Sequence, residues 1–179
     1  MISILAAAAF CAAAAPASAQ VYAALEAGGT LDTRLDGRTV KDDVALRAGL
    51  GVDSGDWRAE VAVSRVAAGV SFDNVEAWGY SLSAYRDFGL GERGAWFLGA
   101  GVDWLDMRAV EGVIQPVAGD GYGWHAALGA SYRLSDSIAI YAALSHMDAA
   151  LNFPAPVTYD SWRSTALGFG LRASFGGVR

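Results

Sequence analysis

The feature that most constrains this chain is an alternation of apolar and polar side chains with a period of two, recurring in segments of about ten residues. Eight such segments occur, at approximately 20–29, 43–53, 57–67, 76–87, 94–105, 122–134, 137–147 and 162–175. Successive side chains of a strand point to opposite faces, so each segment predicts a β-strand with one apolar face. In the fifth, one face reads Trp96, Leu98, Ala100, Val102, Trp104 and the other Phe97, Gly99, Gly101, Asp103. The third sets Trp57, Ala59, Val61, Val63 against Arg58, Glu60, Ala62, Ser64. The sixth sets Trp124, Ala126, Leu128, Ala130, Tyr132 against His125, Gly129, Ser131, Arg133, and the eighth Leu167, Phe169, Leu171, Ala173, Phe175 against Gly168, Gly170, Arg172, Ser174.

The connections alternate as well. Tight turns follow the second, fourth and sixth segments, at Asp53-Ser54-Gly55-Asp56, at Phe88 through Arg93, and at Ser135-Asp136. Longer loops follow the first, third, fifth and seventh, holding Asp36-Gly37, Ser71 to Asn74, Gln115-Pro116 to Gly121, and Asn152 to Ser161. Short turns at one end and long loops at the other are the pattern of an outer-membrane barrel. No run of about 18 apolar residues follows Gln20, so a spanning helix is excluded.

Which way the apolar face points separates two barrels. A soluble, lipocalin-like barrel would have to fill its lumen with Trp, Leu and Val from eight strands, and a lumen of that size holds only modest side chains. Turned outward, the same residues meet lipid, and the glycine, alanine and serine of the other faces suit a narrow interior. Trp96 and Trp104 lie eight residues apart. That is about 26 Å along a strand, or roughly 20 Å once tilted, close to the ~25 Å apolar band between aromatic girdles. A closed sheet also leaves no edge, which lipid could not satisfy. Composition agrees: 22 glycines, 54% hydrophobic residues and only 18% charged ones, against roughly 25% charged in soluble domains. A net charge of -6 argues against a nucleic-acid surface.

The opening stretch, through Ala17-Ser18-Ala19, carries no charged side chain and ends in a small-x-small pattern. Residues 1–19 are therefore expected to be a signal peptide cleaved before Gln20, and 20–179 a single barrel domain. The alternative, an N-terminal anchor, is too short and alanine-rich. Cys11, the single cysteine, lies within this segment and well upstream of the cleavage site, so neither a disulfide nor lipidation is expected of the mature chain.

Four stretches, WRAEVAVSR at 57–65, WFLGAGVDW at 96–104, GWHAALGASYRLS at 123–135 and GFGLRASF at 168–175, together resemble the eight-stranded outer-membrane barrels of the opacity-protein and OmpA-like superfamily. The last resembles the closing strand, whose terminal aromatic is part of the signal read by the barrel-assembly machinery. The resemblance implies an all-β, eight-stranded antiparallel up-and-down barrel in the outer membrane of a Gram-negative-type cell, porin-like in build. It also implies insertion by that machinery, contact with lipopolysaccharide and phospholipid, and loops exposed at the cell surface. Here Gly176 to Arg179 follow Phe175, and the loops are short beside those of adhesive opacity proteins.

With this phase Glu26, Arg47, Arg58, Glu60, Asp103, His125, Arg133 and Arg172 point inward. Lone buried charges are costly, so these residues are expected to pair and fill the lumen, leaving no substantial pore. A narrow small-solute path is the alternative. Gly89-Leu90-Gly91-Glu92-Arg93-Gly94 has dinucleotide-loop spacing, but a strand follows it where a helix should open, so it is read as a turn. Ser145-His146-Met147-Asp148 is the enzyme candidate, because lipid A deacylases carry a lipid-facing His and Ser two residues apart. Here His146 faces outward, Asp148 stands where the serine would, and Ser145 faces inward, out of the reach a nucleophile needs. His125 and His146 fall on opposite faces, and Asp42-Asp43 lacks the ligand spacing of a calcium loop. No catalytic, cofactor-binding or metal-ligating residue is assigned. The expected protein is a monomeric, non-enzymatic surface barrel with a structural or adhesive role through its loops. A lipid A- or phospholipid-modifying enzyme is the alternative from another class. The first loop (Asp32, Arg34, Asp36, Arg38) separates these readings no further.

Overall fold

A computed structural model describes residues 19–42, 44–70, 73–110, 117–154 and 159–175. Eight long strands make the wall: β1 (Gln20–Leu35), β2 (Val44–Asp53), β3 (Trp57–Val70), β4 (Asp73–Leu90), β5 (Gly94–Val110), β6 (Val117–Arg133), β7 (Ile138–Asn152) and β8 (Ser161–Phe175). Each pairs antiparallel with the next, and β8 returns to β1 from Val21↔Phe175 to Leu35↔Trp162, which closes the barrel. The two-residue strands Arg38–Thr39 and Lys41–Asp42 fold the first loop back over the rim, onto β1 and β3. Asp36 ties that loop to the last one, its carboxylate accepting from the backbone N–H of Asp160 (2.8 Å) and Ser161 (2.9 Å). No helix among the described residues is long and apolar enough to cross a membrane.

The short ends hold the expected turns. Gly55 and Gly91 sit at positive φ (100° and 70°), a conformation that side chains with a Cβ resist. The strands overrun their sequence boundaries, however. The turn expected at 88–93 shrinks to 91–93, because Phe88 to Leu90 continue β4. At the loop end β1 runs to Leu35, β5 to Val110 and β7 to Asn152, and β6 begins at Val117.

The outward faces carry the expected apolar band. Leu25, Leu46, Leu98, Val102, Leu128, Leu144, Phe169 and Leu171 are exposed on the wall. Trp57, Tyr132 and Phe175 mark its turn-side edge, and Trp78, Trp104, Tyr122 and Trp124 its loop-side edge.

Above the second girdle the polarity inverts. The outward positions there become Asp32, Arg34, Arg65, Glu76, Asp106, Arg108, Asp148 and Arg163, with ion pairs Arg34–Asp32, Arg65–Glu76 and Arg163–Asp148. The inward positions become apolar: Leu35, Val40, Ala77, Leu105, Met107, Ala149, Leu151 and Trp162 form one buried cluster. A wall surrounded by water needs a polar outside and an oily inside, so the protruding rim is built like a soluble barrel on top of a membrane one.

Candidate functional site in the barrel lumen

Three layers fill the lumen. At the turn end, Arg58 on β3 grips Asp87 on β4 through two charge-assisted bonds, Nε to Oδ2 at 2.5 Å and Nη2 to Oδ1 at 3.0 Å. Both side chains are nearly excluded from solvent. The guanidinium lies 4.7 Å from the Tyr85 ring centre and 5.0 Å from that of Phe97, in a cage of π faces. Glycines make room for these rings. A Cβ on Gly51 would lie 2.5 Å from Tyr22, and Gly99 and Gly129 leave the space that Tyr85 and Phe97 occupy.

The middle layer holds Arg47, whose Nη1 sits 2.6 Å from Glu60 Oε1 while Nη2 donates to the Tyr85 hydroxyl at 3.2 Å. Glu26 stands directly across from Arg47 in the β1–β2 register. Alongside runs a relay: Asp103 Oδ2 to His125 Nδ1 at 2.7 Å, and His125 Nε2 to Ser83 Oγ at 3.0 Å. A carboxylate only accepts, which places an imidazole proton on Nδ1 and sets Nε2 against the serine hydroxyl. The three residues come from β5, β6 and β4. Ser83, Gly101 and His125 share one cross-strand row, and only the missing side chain of Gly101 lets His125 reach over β5. A Cβ there would stand 2.8 Å from Nε2.

A cavity of about 150 Å³ remains between these groups, bordered by Glu26, Arg47, Asp103, His125, Tyr141 and Ser145. The apolar cluster packs on its loop side and the Arg58 cage on its turn side.

All eight charged residues expected inward lie on the lumenal faces, but they do not all pair. Arg58 and Arg47 find carboxylates and Asp103 finds His125. Arg172 instead covers the Tyr22 ring at 5.6 Å. Arg133 donates to the Glu92 carbonyl at the turn-side rim and takes no part in the internal network. Tyr22, Ser83, Tyr85, Asp87 and Tyr141 are among the lumenal residues that sequence reading missed. For Ser83, Tyr85 and Asp87 the phase was obscured on β4, where Arg86 faces outward and lies against Trp57 (5.4 Å) and Phe88 (5.2 Å).

The remaining motifs fall as follows. Gly89-Leu90 ends β4, 91–93 turn, and Gly94 opens β5, so that segment is a hairpin turn. Ser145 borders the cavity, whereas His146 bonds Thr165 Oγ1 (2.9 Å) near Trp124 on the outer wall, and Asp148 pairs with Arg163. Asp43 lies outside the described residues, as do 1–18, so neither the acidic pair nor the expected signal segment is placed. Among the described residues no three His, Cys, Asp or Glu converge as metal ligands.

The family described as "Outer membrane protein beta-barrel domain" matches residues 2–175. Among solved structures the chain is similar to Neisserial surface protein A, with 18% identity, a TM-score of 0.69 and coverage of 89% of this chain and 98% of that one. It is similar to the N-terminal barrel of OprF from Pseudomonas aeruginosa (15%, TM-score 0.57, covering 87% and 97%). It is also similar to Ail, the attachment invasion locus protein of Yersinia pestis (12%, TM-score 0.58, covering 88% and 97%). No curated protein sequence matches significantly. At these identities the likeness is one of fold.

Proposed function

This chain belongs to the outer membrane protein beta-barrel domain family, and from that membership we propose a non-enzymatic barrel of the cell surface, filled rather than open, which acts through its loop-side rim. The observation that supports the reading is the packing at both ends of the lumen: a caged Arg58–Asp87 pair at one end and the Trp162–Met107–Leu105 cluster at the other. A path for ions would need a polar thread through the apolar cluster, and Leu35, Met107 and Trp162 are each at most 2% exposed. The charged, water-facing rim is the part left for contact with surfaces or partner molecules, as loops on rigid scaffolds commonly serve. In this reading the chain inserts as a monomer through the barrel-assembly machinery, and the mature protein starts at Gln20.

One observation favours a second, enzymatic reading: Ser83, His125 and Asp103 have the spacing of a nucleophile, base and orienting acid. Two features weigh against it. Ser83 is 2% exposed, within the packed lumen. The strand amides around it are committed to the barrel ladder, which leaves no pair of free N–H groups for an oxyanion. The relay instead satisfies three buried polar groups that lipid-spanning geometry would otherwise strand.

Planar-bilayer recording tests the main reading and serine-reactive fluorophosphonate labelling the second. No stable conductance and no label on Ser83 are expected. Steady porin-sized steps would sink the filled-lumen reading, and covalent modification of Ser83 would revive the enzyme.

A further inference from the structure

The first residue of the wall carries a side chain that reacts with a free amine of its own. Ala19 lies outside β1, and the ladder opens with Gln20 across from Asp53. Cleavage before Gln20 therefore leaves no overhang, and the new α-amine stands in the turn-side mouth of the barrel. In an N-terminal glutamine the α-nitrogen and the carboxamide carbon close a five-membered ring within one residue, so no encounter between molecules is needed. An α-amine titrates at about 7.7–8.0, which leaves part of it neutral and nucleophilic at ordinary pH.

The surroundings of Gln20 favour ring closure over a retained ammonium. Its side chain is half-buried, in phase with the lumenal Tyr22. Among the described residues it takes no hydrogen bond or ion pair that would hold the carboxamide away from the amine. The charges facing the lumen at this end are three arginines, Arg58, Arg133 and Arg172, against two carboxylates, Asp53 and Asp87. Asp87 is committed to Arg58, and Asp53 Oδ1 accepts the Gly55 N–H at 2.8 Å. Arg172 lies against the Tyr22 ring, 5.6 Å from its centre. An ammonium at residue 20 would be a fourth cation against those two carboxylates, and like charges crowded together disfavour the charged form.

We propose that the mature chain carries a pyroglutamate at position 20. The neutral α-nitrogen attacks Cδ of its own side chain, the new C–N bond closes the lactam, and the Cδ–Nε2 bond breaks. The side-chain nitrogen leaves as ammonia, taking the proton shed by the α-nitrogen, and nothing is oxidised or reduced. The product is neutral, leaves the backbone carbonyl of residue 20 in place for the ladder, and presents no free amine to an aminopeptidase. The inference rests on the reading that cleavage falls before Gln20.

Lys41 is the single lysine of the chain, which turns the test into a count of amines. The full chain, exported with its own signal segment in a Gram-negative host, is taken from outer membranes into denaturant. It is reductively dimethylated at once, before chromatography, so that only rings closed in the cell are counted. Intact mass and the N-terminal peptide are then read. Wild type should have the mass of residues 20–179 less one ammonia and take one label, at Lys41. Gln20→Ala should keep its full mass and take two labels, at Lys41 and at the α-amine. Gln20→Asn, whose side chain could close only a four-membered ring, should also take two, and stands in if the alanine variant is processed elsewhere. Wild type with two labels and no loss of ammonia overturns the lactam and leaves the cleavage standing. A chain beginning at any other residue overturns the cleavage reading, and the lactam with it.

Discussion

Replacing Arg58 with alanine tests what holds the turn end of the lumen together. The substitution removes two charge-assisted bonds and the π cage around them, and leaves Asp87, with a side chain 12% exposed, without its cation. Removing one partner of a buried pair costs about 3–5 kcal/mol, because the surviving charge stays desolvated. At about 1.4 kcal/mol per tenfold, the folding equilibrium should fall by roughly two to four orders of magnitude. Removing both charges together, as in Arg58→Leu/Asp87→Leu, should recover most of that loss, since apolar replacement of a whole buried pair is about neutral. Arg58→Lys should fall between, keeping the charge but losing the fork and the stacking. Urea unfolding in lipid vesicles, followed by tryptophan fluorescence and by the shift between folded and unfolded gel bands, measures all three. A single variant within about 1 kcal/mol of wild type, or a double variant worse than the single, would refute the claim that this pair is a buried, coupled lock.

Three further outcomes follow from the layered interior and the two-faced wall. Ser83→Ala should cost about 1–3 kcal/mol by leaving His125 Nε2 unpaired in the lumen, whereas Gly101→Ala should disturb the same relay by blocking its path; a histidine NMR signal unmoved in both variants would contradict the row geometry. Trp162→Ala should cost about 3–5 kcal/mol in the same unfolding assay, because it empties the apolar rim cluster, while Trp104→Ala on the lipid face should cost less, since acyl chains fill the space. Leu98→Arg, within the lipid band, should cost about 2–4 kcal/mol and Asp106→Arg, beyond the girdle, close to nothing. Equal costs at those two positions would mean that the girdle is misplaced.

Much of the wall was legible in the chain because the bilayer imposes one rule on every strand that crosses it. Each outward position must be apolar, each inward one small or polar, and the backbone must pair fully, so Leu98, Val102 and Phe169 declare their side without reference to any neighbour. That rule stops at the girdle. In β5, Trp104 faces out and Leu105 in, yet two residues later it is Asp106 that faces out and Met107 in, so the apolar phase changes face while the strand continues. A pattern read for one phase ends there, which is why the first, fifth and seventh strands looked short.

What the chain determined unaided, then, was the number of strands, their orientation and the alternation of turns with loops, because these follow from local periodicity against a uniform solvent. Tertiary structure alone decided the partners. Arg58 and Asp87 are 29 residues apart, and Ser83 and His125 42 apart with a whole strand between them. Such meetings depend on cross-strand register and on where a glycine leaves a gap, and register is a property of closing the sheet, not of any one strand within it.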